Sequence, residues 1–246
     1  MTVRHDDLAV RWFGYATVRI ETAEGFVVVL DPGRYGVLDG TWQGERAHPP
    51  GTDYHGRDAD LVCITHDHHY DPDGIERVAD EDATVVVYEN VTGGDRDVAP
   101  PGELPYDVVE LGEEDHVAVG DADVWSLPAY NDPDGPHVRG DGTPYHPRGL
   151  GVAYRLKVGN TAVFWPGDSD ALDGYERLDV SLFLANIGGS FAMDRHEAAD
   201  LASALDPDLL VPVHYNTFDA LAADSRAFAA DVAERGIPVV LDERPG

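Results

Sequence analysis

Basic residues are scarce in this chain, and lysine is nearly absent. Against 47 aspartates and glutamates stand 17 arginines and lysines, Lys157 being the one lysine, and the formal net charge of the 246 residues is −30 at pH 7. Such a surface repels nucleic-acid phosphates and anionic lipid headgroups, so neither is an expected partner. Long apolar runs are also missing: no stretch approaches the ~20 residues that span a bilayer, and membrane insertion is not expected. Cys63 is the one cysteine, which excludes an internal disulfide framework; within an apolar strand it reads as a small core residue. The opening Met1-Thr-Val-Arg-His-Asp-Asp7 has neither the basic start nor the apolar centre of a signal peptide, so a cytoplasmic location is expected. The acidic excess fits a halophilic protein, in which high intracellular salt screens the self-repulsion of carboxylates.

What the chain does have is apolar strands that stop at polar clusters. Its length and hydrophobic fraction of 43% suffice for a sizeable core, in one large domain or two small ones. Leu61-Val-Cys-Ile64 has the length and β-branched content of a buried strand. It runs into Thr65-His66-Asp67-His68-His69-Tyr70-Asp71-Pro72, after which Ile75, Val78 and Ala79 recur at helical spacing. In an α/β sheet, the loop beyond a strand's carboxyl end is where ligands bind. Neutral imidazole is the commonest biological ligand for zinc. His66 and His68 face one side of an extended chain, with Asp67 pointing away from them, and a tight loop brings His69 round. A polar surface loop is the plain alternative; three histidines within four residues after a buried strand favour a metal site.

The strand-then-polar pattern recurs. Residues 10–20 read as a strand broken at Gly14, and 26–30 as a buried strand ending at Asp31-Pro32-Gly33. Asp31 is either a partner of a site group or a plain turn residue. Residues 33–58, with Tyr35, Trp42 and Tyr54, form a loop long enough to cover a site; His48 and His55 are expected to be solvated there. Short strands follow at 84–88, 108–111, 116–119 and 122–127, with His116 exposed. Residues 161–165 form a buried strand that ends at Gly167-Asp168-Ser169. Residues 180–185 lead to Asn186-Ile-Gly-Gly-Ser190, and 209–213 deliver His214. Asp194 with Glu197 three residues on predicts a capped helix that stops near Leu205, before Asp206-Pro207, with His196 in its exposed first turn. A helix over 219–235 and a strand over 238–241 close the chain.

The histidine run resembles the Thr-His-x-His-x-Asp-His signature of metallo-β-lactamase-fold hydrolases, and is closest to the branch of ascorbate-6-phosphate lactonase-like proteins and uncharacterised metal-dependent hydrolases. Many relatives continue Tyr-Asp-Pro after the last signature His, and Tyr70-Asp71-Pro72 is present here. Aligned on it, His69 is that last His and the preceding x-Asp is missing. Aligned without a gap, Tyr70 takes the Asp position and Asp71 the His position. Further landmarks resemble the family in family order: Tyr15 where relatives often carry His, Pro128-Ala-Tyr-Asn131 with His146-Pro-Arg-Gly149, Pro166-Gly-Asp168, Ile187-Gly-Gly189, and Val211-Pro-Val-His214-Tyr-Asn-Thr-Phe218.

The resemblance implies an α/β protein with a four-layer αββα sandwich, a single domain over 1–246, and a metal at one edge between the sheets. It implies a Zn2+ or Mn2+ enzyme with one or two ions: His66, His68 and His146 around one, His69 and His214 around a second, and Asp168 shared. Asp71, expected to accept a proton or orient a ligand histidine, and Asp168 are the candidate catalytic residues. Asn131 stands where the family often has its third His, and His137 is the weaker rival of His146. The implied reaction is attack of a metal-activated water on an ester, lactone or phosphodiester of a small molecule. The missing signature Asp implies one tight metal and at most one weak one. A relative that binds metal as a sensor or scaffold without hydrolysis is the alternative, and a homo-oligomer is compatible with either.

Overall fold

The computed structural model describes residues 1–42 and 48–242. The strand-forming segments assemble into two mixed sheets built on one plan. The first contains β1 (Val3–His5), β2 (Leu8–Gly14), β3 (Thr17–Thr22), β4 (Val27–Leu30), β5 (Ala59–Ile64), β6 (Ala79–Tyr88) and β7 (Asp107–Leu111), side by side in chain order. β1 to β4 pair antiparallel, β4 to β7 parallel. The second contains β8 (His116–Val119), β9 (Ala122–Ala129), β10 (Gly151–Val158), β11 (Thr161–Trp165), β12 (Leu182–Asn186) and β13 (Leu209–Val213). Again the early strands pair antiparallel and β11, β12 and β13 parallel.

Apart from β7 and the start of β6, the parallel strands are deeply buried. Every residue of β4, β12 and β13 is buried, as expected of strands covered on both faces, whereas β8 alternates exposed with half-buried residues. Cys63 is a buried core residue. Helix α1 (Pro72–Val78) follows β5, and α2 (Arg195–Leu205) and α3 (Ser225–Glu234) flank β13 in sequence. α2 begins with a reciprocal cap: Asp194 accepts from the backbone of His196 and Glu197, and Glu197 accepts from Asp194 N at 2.8 Å.

Three expectations shift. The helix expected over 219–235 is a 3-10 turn, Asp219–Leu221, and then α3, because Asp224 caps a fresh helix by accepting from Ala227 N at 2.9 Å. The strand expected at 238–241 is reduced to a bridge between Leu210 and Val239, since Pro238 has no N–H to give. The broken strand over 10–20 is a hairpin: Gly14, at φ 123°, ends β2 where β-carbon sterics would resist.

The two sheets touch at the histidine loop, where the end of β5 meets the start of β10. His66 bridges to Gly151, Val152 N donates to Thr65 O at 3.1 Å, and the Tyr154 hydroxyl donates to Ile64 O at 2.8 Å. A β-carbon on Gly151 would lie 2.7 Å from His66 Cβ. Only glycine allows the strands this approach.

Candidate metal centre

Residues just past the ends of five parallel strands converge: Asp31 after β4, Thr65 and His66 after β5, Asp168 after β11, Asn186 ending β12, and His214 after β13. The ligand atoms of His66, His68, His146 and Asp168 all lie within 4.8 Å of one another, and so do those of His69, Asp168 and His214. Asp168 belongs to both groups. Its Oδ2 lies 3.6 Å from His66 Nε2, 3.6 Å from His69 Nε2 and 3.4 Å from His146 Nε2, while Oδ1 lies 3.2 Å from His214 Nε2.

The hydrogen bonds behind the imidazoles decide which nitrogens face inward as lone pairs. Asp31 is a buried carboxylate that accepts from Thr65 N (2.8 Å), Thr65 Oγ1 (2.9 Å), Trp165 Nε1 (2.8 Å) and His69 Nδ1 (2.9 Å). His69 therefore carries its proton on Nδ1 and presents Nε2 as a lone pair. Having donated to Asp31, the Thr65 hydroxyl accepts from His66 Nδ1 at 2.9 Å, which leaves His66 Nε2 bare. His146 Nδ1 donates to Phe191 O at 3.0 Å, so its Nε2 is bare too. His68 differs, turning Nδ1 toward His146 Nε2 at 3.1 Å. Lone pairs and a carboxylate thus face one another in a buried space, an arrangement that is costly without a cation between them. His66 Nε2 is buried and, among the described residues, has no hydrogen-bond partner. The donor set, imidazole nitrogens and a carboxylate oxygen, fits a divalent transition metal.

Electrostatics agree. Burial pushes the His66 and His146 imidazoles below their ordinary value and pushes His68 and His214 down to about 4, which favours the neutral form of all four at pH 7. Burial opposes charge on His69 as well, but Asp168 and Asp31 outweigh it and its pKa is raised. Burial alone would raise the Asp168 carboxyl, yet His214, His69, His146 and His66 hold it well below the usual carboxylate range.

The remaining sequence candidates fall in different places. Asn131 stands behind His146: its Oδ1 accepts from His146 N at 2.7 Å, and its Nδ2 donates to Asp170 Oδ1 at 2.9 Å and Phe191 O at 3.0 Å. His137 turns to Asp170 at 2.6 Å and Glu197 at 3.7 Å, outside both ligand groups. Asp67 faces the neighbouring loop, accepting from Thr92 N and Gly93 N. Asp71 is not among the clustered ligands. Its carboxylate accepts from Arg34 N at 2.6 Å, and it makes no side-chain cap on α1 although it sits at the cap position. His55 and His196 are exposed and His116 stacks on Trp125 at the surface, but His48 packs against Trp12 and Tyr215 instead of lying in solvent. Sequence reasoning missed Asn186, whose Nδ2 donates to Gly167 O and Asp168 Oδ1, each at 3.0 Å. An asparagine ending a wholly apolar strand was the available signal.

The cluster floors a cavity of about 250 Å³ whose lining includes Tyr15, Arg34, Tyr35 and His214. These four residues have φ of 50°, 62°, 50° and 60°. Left-handed backbone is unfavourable for such side chains, and its concentration around one cavity marks a functional site. Of the loop expected to cover the site, Arg34 and Tyr35 do so; residues 43–47 lie outside the described ones.

Residues 9–214 match the model of the beta-lactamase superfamily domain, so the chain belongs to that family. Two sheets, each with antiparallel strands leading into parallel ones, and a histidine-rich loop between them accompany that match. A UPF0173 metal-dependent hydrolase of Methanopyrus kandleri is 28% identical over 251 residues, spanning 97% of this chain and 98% of that protein. Among solved structures, a putative metal-dependent hydrolase from Parabacteroides distasonis superposes with a TM-score of 0.71 at 20% identity, covering 98% of this chain and 96% of that one. Igni18, a metallo hydrolase from Ignicoccus hospitalis, gives 0.68 at 19% identity, covering 97% and 96%. At these identities the structures establish the metallo-β-lactamase fold alone.

Proposed function

We propose that this protein is a metal-dependent hydrolase acting on an ester, lactone or phosphodiester of a small molecule. The observation that carries this reading is the convergence of five histidines and Asp168 from distant parts of the chain into two ligand groups that share one carboxylate. His66, His68, His146 and Asp168 would hold one ion and His69, Asp168 and His214 a second, with zinc the first choice and manganese the alternative. Bound there, such an ion supplies Lewis acidity and lowers the pKa of a water toward neutrality. The chain's own part is preorganisation. Thr65, Asp31 and Phe191 O fix the His66, His69 and His146 rings, and Asn186 fixes the Asp168 carboxylate. Hydrolysis adds the oxygen of water to the acyl or phosphoryl centre, breaks the bond to the leaving oxygen and returns one proton to that oxygen. Among the residues lining the cavity Asp168 is the one carboxylate, which supports it as the group that would orient that water. Asp71 acts through the Arg34 backbone, which leaves the chemistry to Asp168 and the ligand cluster.

The second ligand group has three members against four in the first, which supports one tight and one weaker ion. The reading also takes the whole chain as one domain and the protein as cytoplasmic, as a monomer or a homo-oligomer, with a salt-adapted surface. No helix among the described residues is long and apolar enough to cross a membrane. The test is a panel of aryl esters, lactones and bis(4-nitrophenyl) phosphate, with metal-free protein and with protein reconstituted with zinc or manganese. Turnover by the reconstituted protein, abolished by a chelator, is expected. Full metal uptake without turnover of any class would instead favour a metal-binding sensor or scaffold.

A further inference from the structure

The cavity above the ligand cluster carries a second chemistry. Its lining includes two guanidinium groups, Arg34 and Arg139, and the aromatic rings of Tyr35, Tyr145, Phe191 and Phe218. In this acidic chain Arg19, Arg57, Arg77, Arg148, Arg177 and Arg235 each pair with a carboxylate. Among the described residues Arg34 and Arg139, like Arg4, Arg11, Arg96, Arg155, Arg195 and Arg226, have no such partner, and of these it is Arg34 and Arg139 that line the cavity. An exposed arginine is satisfied by water, but Arg34 Nε is buried and lacks a hydrogen-bond partner. Arg34 sits in a left-handed turn pinned by Asp71, with its guanidinium carbon 5.0 Å from the centre of the Tyr35 ring. Arg139 lies 5.1 Å over the Tyr145 ring and donates to the carbonyls of Pro144 and Tyr145. Neutral carbonyl acceptors orient its exposed guanidinium at the cavity.

We propose that the site is specific for a small oxyanion-bearing substrate, whose carboxylate or phosphate group engages Arg34 and Arg139 while its carbon skeleton lies against the aromatic wall. This rests on the hydrolase reading and adds the substrate class. Guanidinium forks match oxyanions in geometry and charge, and a cavity of about 250 Å³ admits a small molecule. The net charge of −30 repels anions at a distance, so selection of an anion has to come from unpaired cations inside the cavity. A neutral substrate would leave the buried Arg34 Nε without a partner.

The test is calorimetric binding of phenylphosphonate, benzoate and neutral benzyl alcohol at one fixed KCl concentration, on both metal-free and zinc-loaded protein. The metal-free arm removes direct anion–metal contact. Both anions, or one, are expected to bind at least about tenfold tighter than benzyl alcohol, and the tighter one identifies the group. Arg34→Gln and Arg139→Gln should each remove about tenfold of that affinity without changing benzyl alcohol binding. Arg34→Lys, which keeps the charge, should retain part of it and serves if Arg34→Gln does not fold. Anions that bind no tighter than benzyl alcohol, or that ignore both glutamine variants, overturn the proposal. Zinc uptake on the same samples separates this failure from failure of the hydrolase reading, since full uptake with no anion preference sinks the substrate class alone.

Discussion

Asp31 touches no substrate-facing space, yet it sets the chemistry of the site. One buried carboxylate takes hydrogen bonds from Thr65, Trp165 and His69 and thereby fixes two imidazole tautomers, His69 directly and His66 through the Thr65 hydroxyl. Asp31→Asn would turn an amide donor toward N–H donors or forfeit one acceptor. We expect a stability loss of about 1–3 kcal/mol and a 10–100-fold loss of zinc affinity, the usual size for such supporting partners. Thermal denaturation and competition with a zinc chelator measure the two, and unchanged affinity would refute the relay. The imidazoles also predict a pH dependence. His68 and His214 have folded values of about 4, and His66 and His146 are lowered too, against an unfolded value of about 6.5. The unfolded chain therefore binds more protons on these groups below about pH 6.5, and stability falls as pH drops from there toward about 4. His69 and His137, both raised, act oppositely, adding stability below about pH 6.5 that is lost as pH rises through their folded values. Four lowered groups against two raised ones predict a net fall in the melting temperature of metal-free protein between pH 6.5 and 4; a flat profile would count against the burial of the cluster.

At the scale of elements, the site depends on how closely β5 and β10 approach. Gly151→Ala would drive a methyl into His66 Cβ and Thr65 O. Backbone atoms cannot swing aside, so a loss of about 1–3 kcal/mol is expected, together with weaker zinc binding as His66 is displaced. Wild-type zinc affinity in this variant would show that the junction does not position His66. The strands leading into the site were legible in the sequence because apolar β-branched runs ending in polar clusters are a local signal, and His66, Asp168 and His214 were legible as polar residues at such ends. The capped start of α2 was legible for the same local reason. Other features depend on distant partners. Asp71 follows the histidines in sequence, and its contact with the Arg34 backbone, made by the turn after His69, has no local signal. Asn186, Arg34 and Arg139 acquire a role only when separate loops meet over Asp168. The closing helix was over-extended because nothing apolar distinguishes residues 222–224 from a helical turn, whereas Asp224 offers a cap.

At the scale of the molecule, charge and metal act on different properties. A net charge of −30 spread over the surface destabilises the compact state by self-repulsion, which salt screens. Melting temperature should therefore rise steadily from low to molar KCl, and a salt-independent melting temperature would remove the argument for salt adaptation. A metal held by the candidate centre would, by contrast, tie the two halves of the chain together through Asp168, which belongs to both ligand groups. Zinc titration of metal-free protein, followed by calorimetry and repeated on Asp168→Asn, tests this most directly. The account predicts one tight and one weaker site in the native protein, and loss of the weaker site with at least about 100-fold weakening of the tighter one when the shared carboxylate is removed. No zinc uptake by the native protein, or an Asp168→Asn titration indistinguishable from it, would contradict the account.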